Sequence, residues 1–133
     1  MSIFKAQVCE IKNVDALHIV KFSYADTTLS MMSLELDSNI KVGTNVHLYA
    51  KTNNIALAKN LTGDLSYSNQ IKAKINSIQN GELLSKVILQ GDIGTFESVI
   101  TKDSASRMAL EAGDEIVALI KASELSISEV LDD

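Results

Sequence analysis

The chain repeats itself, and no other feature constrains its fold as tightly. Phe4-Lys5-Ala6-Gln7-Val8-Cys9-Glu10-Ile11-Lys12-Asn13 lies over Ile71-Lys72-Ala73-Lys74-Ile75-Asn76-Ser77-Ile78-Gln79-Asn80 at an offset of 67 positions. Lys, Ala, Ile and Asn recur identically, and the apolar positions coincide. The same offset carries Leu17 onto Leu84, Val20 onto Val87 and Thr28 onto Thr95. Further on the offset becomes 70, so that Gly43 falls on Gly113, Val46 on Ile116, Lys51 on Lys121 and Leu57 on Ile127. An insertion of three residues in the second copy, between Thr95 and Gly113, reconciles the two. Short apolar strands match by chance, but ordered agreement along whole modules does not. The 133 residues therefore divide into a first module over 1–60, a linker over 61–69 and a second module over 70–133. Modules of about 60 residues bury too little surface to be comfortable alone, so each is expected to lean on the other or on another chain.

Each copy reads as strands. Lys5 to Ile11 and Lys72 to Ile78 alternate apolar with polar residues, the period of a half-buried strand. Asn13-Val14-Asp15 and Asn80-Gly81-Glu82 supply turns. His18 to Tyr24 and Leu84 to Gln90 follow, then Thr27 to Leu34 and Thr95 to Thr101, then Val46 to Lys51 and Ile116 to Lys121. Each copy closes on a short strand, around Ile55 to Ala58 or Leu125 to Ser128. Between the third and fourth strands of the second copy, Ser104 to Glu111 reads as a short helix, with Asp103 as its N-cap and Gly113 turning the chain out. The equivalent stretch, Asp37 to Val42, is shorter, about one turn. Five short strands and a small helix per copy predict a mainly all-β chain: two tandem, five-stranded, Greek-key barrels of OB type, each with a short helix.

Composition narrows the partners. Apolar residues make up 46% of the chain, enough for a packed core, yet no apolar run approaches the roughly 20 residues of a membrane span. Met1 to Glu10 lacks the basic-then-apolar pattern of a signal peptide, and the lone Cys9 fits a reducing compartment, so a cytoplasmic protein is expected. The net charge is −5, with 12 Lys and Arg scattered singly among 17 Asp and Glu. Nucleic acids draw on clustered cations and stacking aromatics, and aromatics are only 5% here without any Trp. No nucleic-acid or membrane partner is expected.

Catalytic constellations are missing from the pattern. Cys9 has no His beside it on its strand, His18 and His47 stand far apart, and there is neither a Gly-rich phosphate loop nor a Ser nucleophile elbow. An enzyme is not expected. What remains is a recurring set of hydroxyls, a lysine and turn backbone: Ser66 and Ser68 before the first strand of the second copy, Thr101 and Ser104 at the helix entry, and Lys121 at the end of the fourth strand. Singly these are ordinary linker, strand-end and surface residues. Together they suit a doubly charged tetrahedral anion, which wants N–H and O–H donors, one or two cations and few acceptors, with a helix start adding oriented N–H groups.

Ser66-Tyr67-Ser68-Asn69-Gln70, Lys72-Ala73-Lys74-Ile75, Ile100-Thr101-Lys102-Asp103-Ser104 and Glu111-Ala112-Gly113-Asp114-Glu115-Ile116-Val117-Ala118-Leu119-Ile120-Lys121-Ala122-Ser123 together resemble a Mop module of the molbindin, TOBE-type family. The last stretch is nearly a signature of that family. Two modules in one chain resemble the di-Mop arrangement, and also the effector half of the molybdate-responsive transcription regulator. The resemblance covers almost the whole chain and is stronger over 66–128 than over 4–60. It implies binding of molybdate or tungstate at subunit interfaces, in a homo-oligomer (dimer or trimer), with no catalytic cofactor. By position it implies Ser66, Thr101, Ser104, Lys121 and the backbone of Tyr67 and Ala122 as ligands. Ser68 stands where the family's opening motif Ser-Ala-Arg-Asn has its arginine, so that position lacks a fixed charge and a forked donor. Ala73 stands at the family's usual glycine. In the first copy no opening motif is found; Lys51 matches Lys121, Thr52 matches Ala122, and Ser33 is a counterpart of Thr101. The function implied is storage or homeostasis of the oxyanion. The rival expectation is an anion-sensing regulatory or interaction module with no DNA-binding domain of its own.

Overall fold

Alternating burial along the chain produces ten strands in the computed structural model, which describes residues 2–131. The first copy supplies β1 (Ser2–Val14), β2 (Leu17–Tyr24), β3 (Thr27–Ser33), β4 (Asn45–Ala50) and β5 (Ala56–Ala58). The second supplies β6 (Asn69–Asn80), β7 (Leu84–Gly91), β8 (Gly94–Thr101), β9 (Glu115–Ile120) and β10 (Ser126–Leu131), with helix α1 (Lys102–Arg107) between β8 and β9. Single 3-10 turns, Thr52–Asn54 and Ala122–Glu124, precede β5 and β10. On β1 the side chains of Phe4, Ala6 and Val8 are buried and those of Lys5, Gln7 and Cys9 exposed; on β6 the same holds for Ile71, Ala73 and Ile75 against Lys72, Lys74 and Asn76.

The repeat extends to individual hydrogen bonds. Both long strands carry a bulge one residue past the midpoint of the motif, where Cys9 and Asn76 are the extra residues. Gly43 N–H donates to Val8 O at 2.8 Å and Gly113 N–H to Ile75 O at 2.7 Å, and the return bonds Val8 N–H to Thr44 O and Ile75 N–H to Asp114 O are both 2.9 Å. The two glycines hold φ of +99° and +93°, a left-handed conformation that a side chain would strain. Gly43 and Gly113 are thus fixed by backbone geometry, whatever the modules do.

All pairings are antiparallel, in two five-stranded sheets ordered β10-β4-β1-β2-β3 and β5-β9-β6-β7-β8. Here the structure departs from the sequence expectation. Each closing strand lies in the other copy's sheet: Ala56 pairs with Leu119, and Ser126 with Tyr49. The two sheets do not correspond to two uninterrupted stretches of chain. The 3-10 turn after β4 packs on β8 and the turn after β9 packs on β3, so the exchange is reciprocal. Its cause is burial. Ile55 and Leu125, the residues between turn and closing strand, are only 1% and 2% exposed, and burying such a side chain contributes about 1.5–3 kcal/mol. The core is one cluster running from Phe4, Phe22 and Leu48 of the first copy to Ile75, Leu89 and Phe96 of the second. Phe4 meets Phe96 edge-on at 5.4 Å across the seam.

Two of the polar links across the seam involve buried side chains. Asn69, fully buried, accepts from Ser30 N–H through Oδ1 at 2.7 Å and donates to Ser30 O through Nδ2 at 3.0 Å. Ser98 Oγ donates to Ile55 O at 2.6 Å. Both satisfy groups that would otherwise be desolvated without partners.

The helix expectation needs correction at both ends and in number. The helix starts at Lys102, and its N-cap is Thr101, not Asp103, which lies in the first turn. Thr101 wins because its Oγ1 accepts Ser104 N–H at 3.1 Å from extended backbone. The helix ends at Arg107, well before Glu111, because Ala109 takes a left-handed φ of 50°. Lys59 Nζ donates to the freed carbonyls of Met108 and Ala109 at 3.2 and 3.1 Å. The first copy has no α-helix among its described residues: 37–42 holds a hydrogen-bonded turn in which Ile40 N–H donates to Asp37 O.

Candidate functional site

The exchange builds a cleft that neither copy could make alone. A space of about 650 Å³ is lined by Tyr67 of the linker, by Leu84, Thr101, Ser104, Lys121 and Glu124 of the second copy, and by Asn53, Asn54 and Ile55 of the first. Strand β8 delivers Thr101 at its end, α1 holds Ser104 one turn on, and β9 runs out into Lys121 just before its 3-10 turn. Lys121 is exposed and extended, with its carbonyl accepting Glu124 N–H at 2.9 Å. Its ammonium group makes no ion pair among the described residues.

Hydroxyl groups at the helix start form a small network. Thr101 Oγ1 accepts Ser104 N–H and donates to Ser104 Oγ at 2.9 Å, and Arg107 Nη2 donates to the same Ser104 Oγ at 3.2 Å. The helix-start N–H that the sequence offered to a ligand is therefore already used by the cap. Across the cleft, Asn54 Nδ2 donates to Glu124 Oε2 at 2.7 Å. Asn54 and Glu124 are equivalent positions of the two copies, so the pair joins the two turns at the seam. At the other end of β9, away from the cleft, the Asp114 carboxylate accepts Glu111 N–H at 2.9 Å and sits 3.3 Å from Lys59 Nζ. The backbone bond first, then Lys59, hold its pKa below the ordinary carboxylate value.

Of the residues singled out by sequence, Tyr67, Thr101, Ser104 and Lys121 line this cleft. Ser66 and Ser68 flank Tyr67 and are exposed, and Ala122 begins the 3-10 turn; none of the three lines it. Three participants escaped the sequence reading. Asn53 and Asn54 come from the other copy, which only the exchange brings near. Arg107, the chain's single arginine, lies three residues beyond Ser104, a spacing that faces the same side of a helix and was readable in principle.

The corresponding region of the first copy has a different character. A cleft of about 460 Å³ is lined by Ser33, Glu35, Asp37, Ser123, Leu125 and Glu129, among others, and neither Lys51 nor Thr52 reaches it. The strand register also revises Ser33. It pairs with His18 as Ile100 pairs with Ser85, so Leu34 is the positional counterpart of Thr101. Ser33 copies Thr101 only in bonding locally: its Oγ accepts Glu35 N–H at 3.2 Å and donates to Glu35 O. Lys51 does repeat Lys121 in backbone role, its carbonyl accepting Asn54 N–H at 2.9 Å.

No helix among the described residues is long and apolar enough to cross a membrane. A search of the curated proteins returns no match. Residues 65–127 match the TOBE domain. Among solved structures, the cytoplasmic molybdate-binding protein ModG, in a form with molybdate bound, superposes with a TM-score of 0.88 at 23% identity, over 94% of this chain and 93% of that one. A molybdate-binding protein from Sporomusa ovata is 30% identical over 53% of this chain and 100% of its own, with a TM-score of 0.46. The ModG likeness establishes the tandem OB-type fold over nearly the full length. The chain thus matches the TOBE domain over residues 65–127, and a module of matching strand order lies ahead of that stretch.

Proposed function

We propose that the chain binds molybdate or tungstate in the seam cleft and serves in cytoplasmic storage or homeostasis of that oxyanion, without catalysis. The observation that carries the reading is the cleft's convergence of an unpaired lysine, Lys121, with the Thr101–Ser104 hydroxyls and the Asn53–Asn54 amides. A doubly charged tetrahedral anion accepts only, and charge-assisted bonds from such donors are its strongest contacts. The one carboxylate lining the cleft, Glu124, is turned to Asn54. ModG, which shares the fold, binds molybdate, and this adds support. The cleft also borders Leu84 and the adjoining Leu83, which are 54% and 80% exposed; a second chain covering them would enclose the anion, so the reading includes a homo-oligomer, dimer or trimer.

Titration calorimetry with molybdate, tungstate and sulfate tests the proposal. Saturable heat with molybdate or tungstate, exceeding that with sulfate, is expected. Absence of heat with all three at tens of micromolar protein would remove it.

A further inference from the structure

Lys121 and Glu124 stand at the two ends of one turn. The Lys121 carbonyl accepts Glu124 N–H at 2.9 Å, and a turn closed in this way brings its first and last residues within about 7 Å, Cα to Cα. Both residues line the same cleft. An ammonium and a carboxylate so placed are within reach of each other, yet no ion pair joins them among the described residues. The carboxylate is engaged elsewhere: Asn54 Nδ2 donates to Glu124 Oε2 at 2.7 Å. Chemistry fixes the sense of this bond, since an ionised carboxylate only accepts. Asn54 belongs to the other copy and meets Glu124 because the exchange brings the turn ahead of β5 to the second-copy cleft. In the equivalent turn of the first copy the Lys51 carbonyl accepts Asn54 N–H, so the place of Glu124 is held there by an amide. A carboxylate three residues from the lysine is thus found in the second turn and not in the first, and the group that occupies it comes from the first.

We infer that Asn54 is a positioning residue that keeps the Glu124 carboxylate off Lys121, so that the lysine charge stays available to the anion. The inference rests on the oxyanion reading above. A carboxylate paired with Lys121 competes with a dianion for the same ammonium group, and binding has to break that pair first. Asn54 removes the competition by engaging the carboxylate without neutralising it. Glu124 therefore remains a negative charge in the cleft lining and holds affinity below what Lys121 and the hydroxyls give alone. The first copy, whose own cleft lacks a lysine, in this way governs the cation of the second.

The test is calorimetric titration of molybdate into the full chain, in wild type, Asn54→Ala, Glu124→Gln and the Asn54→Ala/Glu124→Gln double variant, each with its thermal melt. Asn54→Ala should weaken molybdate by about two- to fivefold, the range that a partly exposed ion pair can hold back. Glu124→Gln, which removes the competing charge, should bind at least as tightly as wild type. The double variant should match Glu124→Gln, because Asn54 acts through the carboxylate. That recovery should appear whether or not the double variant regains the melting temperature of wild type, which separates positioning from a structural role. Wild-type affinity in Asn54→Ala, or an Asn54 loss persisting in full in the Glu124→Gln background, would overturn the inference while leaving the oxyanion reading intact. So would weaker binding in Glu124→Gln. Should Asn54→Ala fail to fold, Asn54→Ser, whose side chain is shorter than the amide, takes its place in the same cycle with the same outcomes. A wild-type chain that takes up no molybdate removes both.

Discussion

The clefts of the two copies rest on almost the same backbone and hold opposite chemistry. Each is bordered by a 3-10 turn donated by the other copy, and the two copies share the same strand bulge and the same left-handed glycine. Yet the second-copy cleft presents Lys121, Thr101 and Ser104, while the first presents Glu35, Asp37 and Glu129 without a lysine. The fold is held by hydrogen bonds that belong to the backbone and by apolar positions that tolerate exchange. The donor set is held by a few side chains, of which the fold uses only Thr101, as the helix cap. One copy could lose its donors without the architecture registering the loss.

The largest effect is expected where the copies are alike. Ile55→Ala and Leu125→Ala each empty the anchor of an exchanged strand, and each should lower unfolding free energy by about 2–5 kcal/mol, measured by denaturant titration. Similar losses support a reciprocal exchange; a large loss in one and none in the other would break the symmetry of the architecture.

Next come the lysines, where the copies should differ. Lys121→Ala should weaken oxyanion binding by about 1.5–3 kcal/mol, the range of a hydrogen bond to a charged group. Lys51→Ala, whose residue does not line the first-copy cleft, should leave affinity unchanged in the same calorimetric assay. Equal losses would mean that both clefts bind.

A smaller effect tests the amide clamp at the seam. Asn69 clamps Ser30 through both amide atoms, and its positional counterpart in the first copy is Ser2. Asn69→Leu should cost about 1–3 kcal/mol by leaving the Ser30 backbone groups short of partners. A melt unchanged from wild type would show that water replaces the amide without loss.

Smallest is the titration of Asp114, whose first-copy counterpart Thr44 accepts Lys41 N–H at 3.0 Å with an uncharged hydroxyl. The folded-state pKa of Asp114 is lowered, chiefly by the Glu111 N–H bond and then by Lys59. Its ionised form therefore stabilises the fold fully above the ordinary carboxylate pKa of about 3.9 and loses that contribution as pH falls through the lowered value. Asp114→Asn should flatten stability against pH below about 4 and change little at neutral pH. An identical acid limb in the variant would remove Asp114 from the account.

Much of this fold was legible in the chain. Offsets of 67 and 70 located equivalent strands, and Gly43 and Gly113 marked equivalent turns, because period-2 burial and left-handed φ leave local traces. The exchange of β5 and β10 left none. A short apolar strand reads alike whichever sheet it joins, and the choice depends on where Ile55 and Leu125 find cover. The helix was misplaced for a similar reason. Ala109 is an unusual residue for a left-handed stop, and the Lys59 that holds it lies in the preceding copy. For the site, Thr101, Ser104 and Lys121 were found by position, while Asn53 and Asn54 required the exchange. Ser66, Ser68 and Ala122, taken from the same resemblance, fall outside the cleft lining.

We propose that one cleft of each chain, the second copy's, holds the anion. Loading the purified protein with molybdate, removing the excess by gel filtration, and measuring metal content against native mass tests it most directly. One molybdenum per chain is expected, falling to near zero in Lys121→Ala and unchanged in Lys51→Ala. Two per chain in the wild type, or full occupancy surviving Lys121→Ala, would contradict it.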